Sequence, residues 1–416
     1  MTALPILSSF DRVRWIRAAD WLAAGVAVAL PWSTSATGIL IALWLIAILP
    51  TLDAGSIRRE LATAAGGLPV LLWVLAAVGM LWADVTWSER IHGLGGYHRL
   101  LVIPLLLAQF RRSAHGSWVI YGFFASTLGV LLVSWASVLI PGLPWQGKMA
   151  GVLVKDYIFQ SGSFLICAFV LLGRAFDEGS AHRWRLVPRL VALAGFFLAN
   201  IVFVVTSRTA LLVAPVLILL LGWRQFGWKG VVDAGLLGAV VGISIWLGSP
   251  YLRERLITSE AELQAYVASD APNSTGLHLE FLRKSLSFIA TAPIIGHGTG
   301  SIPEQFRHAA VGETGASSAA PGNPHNQIFA VAIQLGLVGA AVLIAMWIAH
   351  FMLFHGSGLI AWIGMIIVVQ NVVSSLVNSH LFDFSQGWLY VFGVGVAGGM
   401  VLRERDSATA QRIAKP

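Results

Sequence analysis

Two short polar strings interrupt an otherwise apolar chain, and both hold side chains suited to chemistry on anions. In Thr206-Ser207-Arg208-Thr209-Ala210 an arginine stands between two apolar runs. A guanidinium presents a planar fork of donors that matches phosphate oxygens, and the start of the following helix adds unpaired N–H groups. The competing reading is a turn arginine that snorkels to lipid headgroups. In Gly322-Asn323-Pro324-His325-Asn326-Gln327 a histidine precedes the apolar run Ile328–Ala349. Proline favours the first helical turn, so His325 is expected near a helix N-terminus. An imidazole there takes up a proton, donates to an anion, or serves only as a polar cap.

Weaker candidates surround these two. Lys148, Lys155 and Asp156 fall in one short break between apolar runs, and Arg90 and Arg99 flank another. For Arg90 and Lys148 an interfacial anchor is the simpler role. For His380 and Asp383, in the last break between apolar runs, a structural hydrogen bond is the simpler explanation. Gly296–Gly300 is not a dinucleotide fingerprint, because no strand precedes it and no βαβ unit surrounds it. Asn273-Ser274-Thr275 matches a glycosylation acceptor, a pattern common by chance. The chain has no Asp-x-Asp pair, no His-x-x-x-His spacing and no P-loop, so neither a metal nor another cofactor is expected.

The elements that must position these residues follow from composition. Of 416 residues, 57% are hydrophobic and 11% charged, with a mean hydropathy of +0.77. Soluble domains carry about 25% charged residues, so water is not the only solvent. A bilayer core needs roughly 20 apolar residues per helix, and backbone in lipid must satisfy its own hydrogen bonds. The alternating pattern of a transmembrane barrel is missing. The net charge of +7 does not indicate nucleic acid, because the basic residues sit in the breaks between apolar runs. The 17 tryptophans fit interfacial belts. Cys167, the single cysteine, has no partner for an intramolecular disulfide.

The reading is an all-α integral membrane protein with about twelve spans. They fall near residues 19–33, 36–50, 66–83, 99–110, 116–140, 157–173, 190–206, 209–223, 230–248, 326–349, 357–377 and 386–402. Nine thus lie in 1–248 and three in 326–402, with a tail over 403–416. Arg12, Arg14 and Arg17 precede the first run, which is read as an uncleaved helix. Most of the 27 lysines and arginines then fall on the side of the N-terminus, which predicts both termini in the cytoplasm. The one long polar insertion, 249–325, is predicted on the outer side. Within it Tyr251–Ala268 and Leu277–Thr291 read as helices, the second with an apolar stripe of Leu282, Leu286 and Ile289 and a Glu280–Lys284 pair. Gly296–Ser301 reads as a flexible turn and 310–322 as a mobile loop. A transporter or flippase would place ionisable groups mid-span. Here the apolar runs are nearly free of charge, and the candidates gather at the outer ends.

The order of these motifs resembles the O-antigen ligase and polymerase superfamily. It is carried by Ser207-Arg208-Thr209, a long outer loop, Pro293-Ile294-Ile295-Gly296-His297-Gly298, Pro324-His325-Asn326, and the continuation Ala332-Ile333-Gln334-Leu335-Gly336-Leu337-Val338-Gly339. Agreement concentrates in residues 200–345. His278 stands where many relatives carry arginine, and Tyr157 where histidine is frequent. The modest length, the single large loop and the Leu277–Phe281 segment look more like ligases than polymerases. The resemblance implies an O-antigen ligase at the periplasmic face of the bacterial inner membrane. Such an enzyme transfers O-antigen from undecaprenyl diphosphate to lipid A–core oligosaccharide, with inversion and without a metal. His325 and Arg208 would be catalytic, His325 as base or as phosphate-binding imidazolium. Lys155, Arg283, His278, Asn326, Ser207 and Arg99 would bind the donor diphosphate or the acceptor. A polymerase on the same carrier is the alternative within the superfamily, and a polytopic transporter or flippase is the alternative from another class.

Overall fold

The computed structural model describes residues 11–413 apart from 141–150, 153, 206 and 249; Lys148 and Thr206 of the sequence analysis lie outside the described residues. Helices run as α1 (Arg12–Ala29), α2 (Thr34–Ile48), α3 (Ala54–Leu61), α4 (Ala64–Gly79), α5 (Trp87–Gly95), α6 (Val102–Arg112), α7 (Gly116–Leu139) and α8 (Tyr157–Ser180). They continue as α9 (Val187–Phe203), α10 (Arg208–Gly248), α11 (Pro250–Ser269), α12 (Ser274–Thr291), α13 (Ile302–Ala310), α14 (Gln327–Leu353), α15 (Leu359–Ser374) and α16 (Phe384–Ile413). Each of the twelve apolar runs coincides with helix. Among the described residues, six helices suffice by length and apolarity to cross a membrane, or up to eight when the bent pairs α3–α4 and α5–α6 each count as one span. The remainder fall short for physical reasons. Helices α9 and α15 have 17 and 16 residues, and α1 carries Arg12, Arg14, Arg17 and Asp20.

Helix α10 is not one rod. Gly227 leaves helical geometry at φ 61° and ψ −145°, and the backbones of Gly222 and Gly230 come into contact across the bend. Ile218 and Leu219 then face Gly238 and Gly235, so the two arms form an antiparallel hairpin. The core of the bundle is α8, α15 and α16, whose facing side chains are almost entirely buried. Charges at the end of the bundle opposite His325 are paired. The buried Asp20 accepts from Gln109 at 2.8 Å and from the Ser113 hydroxyl at 2.7 Å. Glu60, also buried, meets Arg111 at 3.1 Å. These groups are spent on packing.

The long helix α14 is broken where the Gly-x-x-Gly run begins. Gly336 adopts φ 63° and ψ −164°, which frees helical donors and acceptors on both sides of it. The 293–300 turn replaces the missing partners. His297 and Gly298 donate to the carbonyls of Ile333 and Gln334 at 2.8 and 2.9 Å, and Leu337 donates to that of Pro293 at 2.8 Å. The Thr299 hydroxyl reaches the Ala76 carbonyl at 2.6 Å, tying the turn to α4 as well. Non-helical backbone at this depth is tolerated only when buried in protein. The expected flexible turn is therefore a buried plug. A Cβ at Gly336 or Gly296 would strike the opposing backbone, so both positions require glycine.

Two further expectations change. In α12 the buried side chains include Phe281, Ser285 and Phe288, whereas Leu282 and Leu286 are 41% and 52% exposed. Phe281 and Phe288 pack on Phe306 of α13 with ring centres 5.8 and 5.1 Å apart, and this aromatic cluster turns the leucines outward. The expected Glu280–Lys284 pair is present at 3.9 Å; Glu280 also binds Arg283 and Tyr266, and Lys284 also donates to the Ser317 carbonyl. The 310–322 segment is pinned rather than free. Ala316 and Ser317 donate to Asp270, through its carbonyl at 2.8 Å and its carboxylate at 3.0 Å.

Candidate active site

The start of α14 is fastened before any ligand chemistry is considered. Asn326 is the helix cap: its Oδ1 accepts the Phe329 N–H at 3.1 Å, and its Nδ2 donates to the Leu376 carbonyl at 2.9 Å. Gln327 adds an N–H bond to the Ser375 carbonyl at 2.9 Å and accepts the Leu381 N–H at 2.9 Å. These bonds fix α14 to the connector between α15 and α16. Pro324 leads the chain into His325, which takes a left-handed backbone at φ 54°, uncommon for any residue but glycine. Asn323 holds it there: its Oδ1 accepts the His325 N–H at 2.8 Å and the Ser379 hydroxyl at 2.6 Å. A backbone strained by about 1–3 kcal/mol persists only where its surroundings over-determine it.

This strain aims the imidazole at α12. The His325 ring stacks on Phe281 at 5.7 Å with an interplanar angle of 15° and meets the edge of His278 at 5.2 Å. Burial holds His325 below the ordinary histidine pKa, against an opposing hydrogen bond with Asn378. Burial also lowers His278, helped by the positive charges of His325 and Arg208. Both imidazoles are therefore neutral at pH 7. The positive end of α14 acts in the same sense on His325. Arg208 opens α10 with an exposed side chain, and among the described residues it makes no ion pair. Ser207 caps the same helix end, its hydroxyl accepting the Ala210 N–H at 3.4 Å.

The other residues singled out from the sequence have other engagements. Lys155 donates to the Ser385 hydroxyl at 3.2 Å and stands over the Phe384 ring; burial lowers its pKa, against the attraction of Asp156 and Asp383. Arg283 is committed to the buried Glu280 at 2.5 Å. Arg99 is buried and holds the carbonyls of Phe382, Asp383 and Phe384. Arg90 grips the carbonyls of Met80 and Val85, each at 2.9 Å. The His380 ring bonds the Ser374 hydroxyl at 2.7 Å, and burial drops its pKa to about 4. The Asp383 carboxylate caps α16. The sequence reading missed Asn378, Ser379 and the stacking role of Phe281. The only signal for the first two was the polar string Asn378-Ser379-His380 after an apolar run.

A bundle of apolar helices, with one polar group gathered where α10, α12 and α14 begin or end, defines a multi-pass α-helical membrane protein with a candidate site at these helix ends. The model of the family described as O-antigen ligase matches residues 192–344, the segment that holds Arg208, His278 and His325. Over that segment the chain is similar to the O-antigen ligase family. The family indicates a glycosyltransferase-like activity in O-antigen processing, on polysaccharide or lipid-linked substrates. No curated protein matches the chain.

Proposed function

We propose that the protein is an O-antigen ligase. In this reading both termini are cytoplasmic, the 249–325 insertion is periplasmic, and the chain lies in the bacterial inner membrane. It transfers O-antigen from undecaprenyl diphosphate to a sugar hydroxyl of lipid A–core oligosaccharide. The observation that carries the reading is the neutral, pinned His325 beside His278, with Arg208, which makes no ion pair among the described residues, acting on His278.

Arg208 binds the donor diphosphate and offsets the charge that develops as the sugar–phosphate bond breaks. Lys155 is the nearest candidate for a second cation, since Arg283 is already neutralised by Glu280 and Arg99 is held by carbonyls. His325 accepts the proton of the acceptor hydroxyl as its oxygen bonds to the anomeric carbon. The electron pair of the broken bond leaves with the diphosphate, which requires no protein acid. Direct attack inverts the anomeric centre. His278, Asn326 and Ser207 shape the site, with His278 facing the phosphates as a neutral donor and the other two holding helix ends in place.

A positioned base contributes about 10²–10⁴-fold, and a donor to developing negative charge about 10²–10³-fold. His325→Ala and Arg208→Ala are expected to lose ligation by factors of this order at normal protein level, read as the ratio of smooth to rough lipopolysaccharide. Near-normal smooth lipopolysaccharide in both variants would sink the assignment.

A further inference from the structure

At the opposite end of α14 from His325, a cavity of about 490 Å³ opens among α8, α10, α15 and the turn that joins α14 to α15. The 27 residues of α14 rise about 1.5 Å each, a span of roughly 40 Å, so this cavity is separate from the site above. Arg224 lines it with a side chain only 16% exposed. Its Nη2 meets the two carboxylate oxygens of Asp177 at 3.0 and 3.1 Å, and its guanidinium lies over Trp362 at 5.0 Å. Its Nη1 is buried and has no hydrogen-bond partner among the described residues, and the same holds for Nε2 of Gln225. A buried donor left unpaired costs about 1–3 kcal/mol. Two adjacent ones, on residues that both line the same cavity, call for an acceptor that enters from outside.

The surroundings identify that acceptor. Helix α15 begins at this cavity, and its cap, Gly358, offers no side chain to the first-turn N–H groups. Those amides and the positive end of the helix favour an anion. Trp223, Phe226 and Trp228 are exposed beside it and Lys229 follows, the residue pattern of a headgroup layer. Leu220 and Met365 supply apolar wall for a chain next to the polar end. We propose that this cavity binds a phosphate group through Arg224 Nη1, Gln225 Nε2 and the first amides of α15. Its source is a phospholipid headgroup or free phosphate.

The test uses the full-length protein in detergent, titrated by native mass spectrometry with short-chain phosphatidylglycerol, with the matching diacylglycerol, and with inorganic phosphate. Gln225→Glu places a carboxylate in the cavity while leaving the Arg224–Asp177 pair intact. Arg224→Gln combined with Asp177→Asn removes both charges without stranding either. Saturable binding of phosphatidylglycerol, weakened at least fivefold in Gln225→Glu, supports the site and assigns it to lipid. Saturable binding of inorganic phosphate with the same loss supports it and assigns it to the free anion. Diacylglycerol binding as tightly as phosphatidylglycerol, or unaltered phosphate and lipid binding in Gln225→Glu, overturns it. The double variant checks the same contact from the cationic side, with its melting temperature as the control for folding.

Discussion

Proton affinity decides what His325 does. Its pKa and that of His278 are held below the ordinary value of 6.5, so the working form at neutral pH is the free base. Protonation below that pKa removes the base, and kcat/KM is expected to climb with pH to an apparent pKa under 6.5 and then stay level. His278→Arg sets a permanent cation beside His325 and should move this acid limb to lower pH. A rate that instead rises on acidification through pH 6 would identify an imidazolium that binds phosphate. Arg208 and His325 were legible in the sequence because a polar residue between apolar runs has no packing reason to be there. Asn378 and Ser379 were not, because their value to His325 arises through contacts made some 50 residues away along the chain. Arg99 and Arg283 looked like cations for phosphate; only the structure reveals that carbonyls and Glu280 already hold them.

At the scale of elements, the break in α14 sets the geometry of the site, since the plug from 293–300 and the start of α14 share one helix. Alanine at Gly336 or Gly296 forces a side chain into the left-handed region, a strain of about 1–3 kcal/mol, and into the facing backbone. Both variants are expected to lower the thermal midpoint of the detergent-solubilised protein by several degrees, while Leu286→Ala on the exposed face of α12 leaves it nearly unchanged. Equal melting of all three would contradict the plug. The same region shows what the sequence of α12 left open. Leu282, Leu286 and Ile289 are as periodic as Phe281, Ser285 and Phe288, and periodicity finds a stripe without saying which stripe faces protein. Where the surroundings are lipid or interface, apolar residues serve outside as well as inside. The glycines of the turn read as freedom because local sequence carries no trace of the backbone they press against.

For the whole molecule, helix content and its segmentation were legible because lipid leaves the backbone few alternatives. The number of crossings was less so: a run of 16 or 17 apolar residues marks a helix without fixing whether it spans, and the fold-back of α10 depends on Gly227 at the bend and on Gly222 and Gly230 meeting across it. The helical frame gives its buried charges protein partners, as with Glu60 and Arg111, Glu280 and Arg283, and Arg99 on three carbonyls, and leaves Arg208 without a carboxylate among the described residues. That distribution supports chemistry at one membrane face over passage through the bundle. Ligase and polymerase differ in which pool they leave behind, so the most direct measurement is the lipid and lipopolysaccharide profile of a strain lacking this chain. The account predicts long O-antigen polymer accumulating on undecaprenyl diphosphate beside unmodified lipid A–core, restored by the wild-type chain and not by His325→Ala. Single O-antigen repeats attached to the core would instead mark a polymerase, and an unchanged profile would contradict the account outright.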